Sequence, residues 1–133
     1  MDREQRVVIA SDRDIVTARQ EGRRLASTLD FSSSDLTVIA VAISEVARNI
    51  LSYARTGEIT LQVVEKNGRR VILVVAEDAG PGIEDIGLAL EDGFSTSGSL
   101  GLGLPGARRL MDEFEIRSEV GKGTTVILRK WAR

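Results

Sequence analysis

Glu45 and Asn49 stand four residues apart in Ile43-Ser44-Glu45-Val46-Ala47-Arg48-Asn49, a stretch that otherwise offers apolar residues to a core. On a helix that spacing places both side chains on one face. An amide carbonyl is a hard oxygen ligand, suited to Mg²⁺ already held by phosphate and water. A carboxylate one turn away can orient a water or accept a hydroxyl proton. The same residues with Arg48 also suit a solvated helix face with local pairing, where such pairs contribute little. A second candidate is Glu77-Asp78-Ala79-Gly80-Pro81-Gly82, which ends the β-branched run Val71-Ile72-Leu73-Val74-Val75. Asp78 would be an acceptor for an exocyclic amine, with Gly80 and Gly82 free to turn sharply beside a flat ligand. Read alone, the pattern is equally an ordinary exit from a strand into a turn.

Two further glycine clusters follow. Gly101-Leu102-Gly103-Leu104 precedes Pro105, a residue suited to a helix start, so its backbone N–H groups form either a phosphate cradle or a flexible loop. Gly121-Lys122-Gly123-Thr124 is not a P-loop, because Gly follows Lys122 and Ile116 stands where the first loop glycine belongs. It reads as a hairpin turn that leaves Thr124 or Thr125 at the start of a strand able to face a ligand.

The elements that must position these residues follow from periodicity. Arg6 to Ala10 reads as a short strand. Ser11-Asp12 caps a helix whose Ile15, Ala18, Gly22, Leu25 and Ala26 recur at helical spacing to about Leu29. Ser32 to Asp35 is a second cap cluster, opening a helix to about Tyr53. Ile59 to Val64 and Arg70 to Ala76 are strands joined by a hairpin at Asn67-Gly68. A short helix or turn is expected within 83–93, a loop over Phe94 to Ser99, a helix from Pro105 through Met111, and strands over Glu115 to Val120 and Thr124 to Lys130. This order gives an α/β two-layer sandwich, one mixed β-sheet covered on one face by helices.

Composition narrows the chemistry. The 133 residues have the size of one domain, 1–133, and the net charge of −2 gives no electrostatic reason to expect nucleic acid or a membrane. No unbroken apolar run approaches a spanning length, and the N-terminus lacks a signal-peptide core, so a cytoplasmic location is the expectation. There is no Cys and no His. Thiol, imidazole and phosphohistidine chemistry within the chain are therefore excluded, leaving carboxylates, amides, arginines, backbone N–H groups or a hard metal.

Taken in order, Glu45-x-x-x-Asn49, Asp78-x-Gly80-x-Gly82, Gly101-x-Gly103 and Gly123-Thr124-Thr125 resemble the N, G1, G2 and G3 boxes of the GHKL ATPase superfamily. The resemblance spans about residues 35 to 130. Ile43 to Asn49, Glu77 to Ile83, Glu91-Asp92-Gly93-Phe94-Ser95-Thr96-Ser97 and Arg109 to Phe114 are similar to the RsbT branch, switch-protein serine/threonine kinases of bacterial stress-signalling complexes related to the anti-sigma-factor kinases. Tyr53 stands where many superfamily members carry a histidine.

The resemblance implies a Bergerat-type ATP-binding fold with ATP and Mg²⁺ as its ligands. Box by box, it makes Asn49 the Mg²⁺ ligand and Glu45 the general base for the incoming hydroxyl. Asp78 becomes the adenine-amine acceptor, with Gly80 and Gly82 shaping the base pocket and Thr125 near the adenine. Gly101, Leu102, Gly103 and Leu104 hold phosphate through their amides, and residues 94–100 form a short lid with Thr96 and Ser97 as its contacts. It also implies STAS-domain substrates in a stressosome-type partner-switching pathway and, after release, a PP2C-type phosphatase as a second partner. Two other functions fit the same residues: an anti-sigma factor with kinase activity, and a nucleotide-gated docking module with little catalysis. Glu45 argues against the last, since a pure sensor needs no base.

Overall fold

Period-two alternation decides which face of each strand is buried. Val7 and Ile9, Ile59 and Leu61, Ile72, Val74 and Ala76, and Val126 and Leu128 all point to one side of the sheet, where they are buried. The computed structural model describes residues 3–81 and 103–132. Its strands are β1 (Arg3–Ile9), β2 (Gly57–Lys66), β3 (Arg69–Asp78), β4 (Glu113–Glu119) and β5 (Gly123–Trp131). Its helices are α1 (Asp12–Ala26), α2 (Ser33–Tyr53) and α3 (Gly103–Leu110). The sheet order is β1-β2-β3-β5-β4. The helices pack on the buried face, so the α/β two-layer arrangement is observed.

The sheet is antiparallel at every pairing, not mixed. Two causes act. Between β1 and β2 the chain makes two helical passes, α1 and α2, and an even number of passes returns it in the opposite sense. β3 and β4 each run antiparallel to β5, so these two strands are parallel to each other. Yet β5 folds back by a hairpin and inserts between them, so they never pair.

Local chemistry sets the boundaries. Asp14 Oδ2 accepts the backbone N–H groups of Ala10 and Ser11 at 2.9 and 3.0 Å, closing the first turn of α1. Ser32 Oγ accepts the N–H of Asp35 at 3.0 Å and starts α2 where the cap cluster predicts. The β2–β3 hairpin turns on Asn67 and Gly68, both at positive φ (54° and 78°), the turn that Asn-Gly favours. β1 starts earlier than expected, and β2 and β3 run longer, because their ends are held in the ladder by their neighbours rather than by their own propensity. α1 ends at Ala26 and α3 at Leu110, each slightly short of its expected end.

α2 is the central helix. Ile39, Ile43, Val46 and Ile50, at helical spacing, are buried against the sheet and α1. α2 meets the length and composition criteria for crossing a membrane, although Glu45 and Arg48 interrupt its apolar run. Here that apolar surface is used on the protein's own core.

Candidate active site

The C-terminal end of β3 is where three motifs meet. Asp78 pairs with Gly57 of β2 and Thr124 of β5, which brings the Asp78-to-Pro81 turn under the β4–β5 turn. Asp78 Oδ1 accepts the N–H of Gly80 at 3.0 Å and that of Thr124 at 3.3 Å. Pro81 O accepts the N–H of Gly121 at 2.8 Å, tying the two turns together. Gly123 has φ 120°, and a Cβ there would strike the backbone of Asp78 and Ala79. Only glycine allows that approach. With Oδ1 held by two amides, the half-buried Asp78 carboxylate is fixed in direction and keeps Oδ2 as an acceptor.

Gly80 also makes a contact that the sequence does not reveal. A Cβ on it would lie 2.5 Å from Ala54 Cβ, so its smallness lets the turn seat against the end of α2. Gly57 does the same beside Ile50 Cγ2 at 2.7 Å and Asp78 Cβ at 3.2 Å. The end of α2 is thereby locked to the Asp78 turn. Along the helix axis, Asn49 lies about 7.5 Å before Ala54, and Glu45 about 6 Å before Asn49, at 1.5 Å per residue. Asp78, Asn49 and Glu45 thus follow one another along α2, each near or on the same helix.

Glu45 does not belong to a solvated face. It is 5% exposed, and Oε1 accepts a hydrogen bond from Arg48 Nη1 at 3.0 Å, while Oε2 is buried with no hydrogen-bond partner among the described residues. Asn49 is half-buried one turn on, and Arg48 pairs with the buried acid. A carboxylate oxygen closed from water with nothing to accept costs about 1–3 kcal/mol or more. That cost suits an atom reserved for a ligand. Among the described residues, no group of three or more acidic residues is gathered as a metal site. An Asn amide oxygen beside the site fits Mg²⁺ that draws most of its ligands from phosphate and water.

α3 lies against α2, with Leu104, Pro105, Gly106 and Ala107 buried. The Leu104 side chain belongs to the core, so any contact it makes to an anion is through its N–H. In the first turn Gly103, Leu104 and Gly106 carry amides and Pro105 does not. Gly82, Thr96, Ser97, Gly101 and Leu102, and the element expected within 83–93, lie outside the described residues.

The expected place of Thr125 beside the adenine acceptor is Thr124's in the structure. Thr125 is registered with Glu77 and Arg117 on the opposite face of the sheet, whereas Thr124 is buried next to Asp78. Its Oγ1 lies 2.8 Å from Ser118 Oγ, which also donates to Gly123 O at 3.2 Å. Sequence reasoning passed over Ser118; its position opposite Thr124 in the β4–β5 ladder is the signal. A groove of about 750 Å³, lined by Arg69, Arg70, Asp112 and Trp131, opens at the start of β3. It lies at the other end of that strand from Asp78 and is separate from this site.

The profile of the histidine kinase-like ATPase domain family matches residues 8–130. Serine/threonine-protein kinase RsbT of Bacillus subtilis is 51% identical over 127 residues, covering 96% of both chains. The chain belongs to the histidine kinase-like ATPases, in the RsbT-type serine/threonine kinase branch. Anti-sigma F factors are more distant: that of Clostridium kluyveri is 31% identical over 118 residues, 85% of this chain and 82% of its own. That of Geobacillus stearothermophilus is 32% identical over 120 residues, 85% and 81% of the two chains. Membership of the histidine kinase-like ATPases makes this an ATP-using domain. The antiparallel sheet under α1, α2 and α3 is the matching fold.

Proposed function

We propose that this protein is an ATP-dependent serine/threonine kinase that phosphorylates STAS-domain partners in a stressosome-type switching pathway. After release it binds and activates a PP2C-type phosphatase. The observation that supports this reading most is the buried Glu45 carboxylate, one helical turn from Asn49, with Oε2 left for a ligand. In this reading Asp78 Oδ2 accepts the adenine amine, Thr124 supports that acceptor, and Gly80 and Gly82 shape the base pocket. Asn49 would hold Mg²⁺, and the amides of Gly101 to Leu104, with Thr96 and Ser97, would contact the phosphates. Bound Mg²⁺ would supply charge neutralisation. Glu45 takes the proton of the incoming hydroxyl. Little covalent chemistry is asked of the protein, since phosphoryl transfer depends chiefly on position and electrostatics.

The test is transfer of γ-labelled phosphate from MgATP to a recombinant STAS-domain protein from the same genome. Label on its serine or threonine is expected, followed by a rise in PP2C activity when the freed kinase is added. Absence of label on every STAS protein tried would contradict the substrate assignment. The anti-sigma-factor relatives support a second reading, a kinase that also sequesters a sigma factor. Stoichiometric co-purification with a sigma factor would favour it.

A further inference from the structure

We infer that Arg48 is a positioning residue for phosphoryl transfer, holding the Glu45 carboxylate so that Oε2 faces the acceptor hydroxyl; this rests on the reading of Glu45 as the base. The two side chains lie three residues apart on α2, and their ion pair is 3.0 Å from Nη1 to Oε1. They differ sharply in exposure: the Glu45 side chain is 6% exposed and that of Arg48 38%. The terminal torsion of a glutamate is broad and nearly two-fold, so a free carboxylate samples many orientations. A charge-assisted hydrogen bond to one oxygen fixes the plane and thereby aims the other. In this protein the other oxygen is buried and has no hydrogen-bond partner among the described residues. The pair therefore divides the carboxylate into an anchored oxygen and an unsatisfied one. A salt bridge made only for stability gains nothing from leaving Oε2 unsatisfied, and satisfied lone pairs are what a buried ion pair ordinarily needs. Arg48 is half-buried and lies outside the hydrophobic core cluster, so replacing it leaves the core packing in place.

The test compares wild type, Arg48→Met, Arg48→Lys, Glu45→Gln and the Arg48→Met/Glu45→Gln double variant on MgATP and a STAS-domain acceptor. Arg48→Met is expected to lower kcat by roughly 10- to 100-fold, the scale of losing a reacting group's alignment. KM and Kd for ATP should stay at the wild-type value, which also reports that the variant folds. Arg48→Lys should recover part of the lost rate, since it restores the charge without the rigid guanidinium plane. In the Glu45→Gln background, removing Arg48 should cost nothing further. Wild-type kcat in Arg48→Met, while Glu45→Gln is impaired, would overturn the positioning role and leave the base in place. An equal loss in both backgrounds would overturn it too, since Arg48 would then act without Glu45. Full activity in Glu45→Gln would remove the base, and the inference with it.

Discussion

Asn49 and Glu45 share a face of α2, yet one is half-buried and the other almost wholly enclosed, and that difference divides their work. A neutral amide oxygen at a partly open position can meet a hydrated metal. An enclosed carboxylate is suited to a proton. Asn49→Ala is accordingly expected to abolish MgATP binding and transfer together, as read by calorimetry and by labelled phosphate; undiminished phosphorylation would remove Asn49 from the metal. Their shared helix face was legible because helical spacing is regular. Thr124 and Thr125 were not separable in the same way. Both are threonines in one strand, and only the register against Asp78 and Glu77 decides which faces the site. The Arg48–Glu45 pair had a sequence signal, its i,i+3 spacing, but that spacing does not reveal that the acid is buried.

Among the elements, the hairpin turn between β4 and β5 carries the tightest constraint. Gly123 joins a positive φ to backbone contact with Asp78 and Ala79, and both penalties follow from a single added Cβ. Gly123→Ala is expected to destabilise the fold by about 1–3 kcal/mol from backbone strain, with further loss from the contact. It should also weaken ATP binding, because the Asp78 turn must shift. Denaturant melts and ATP titration check the two effects; a variant normal in both would show that the turn relaxes freely. Cap residues, the Asn-Gly hairpin and the alternating strands were readable because each depends on neighbours in sequence. The pairing sense was not. It depends on β5 inserting between β3 and β4, a choice made by packing across the whole sheet.

For the whole molecule, the outer sheet face bears charges that link stability to pH. The Arg117 guanidinium donates to Glu115 at 2.9 Å, and this hydrogen bond and its charge, with help from Arg129, hold the Glu115 carboxyl below its ordinary range despite slight desolvation. Because the folded value lies below the unfolded one, the stabilisation is full above the unfolded value and is lost as pH falls through the folded one. Glu115→Gln should therefore lower the melting temperature slightly near neutral pH and low salt, and the difference should vanish in acid and shrink in high salt. A difference independent of pH would show that the charge plays no part. On the buried face, the sheet, α2 and the Asp78 turn meet at one end of the molecule, where the proposed role of Glu45 is to take the acceptor's proton. Single-turnover transfer of γ-phosphate to a STAS-domain acceptor, wild type against Glu45→Gln at saturating MgATP, tests that claim most directly. A slowing of ~10²-fold or more, with ATP affinity unchanged, is the expected result for a lost general base; equal rates would contradict it.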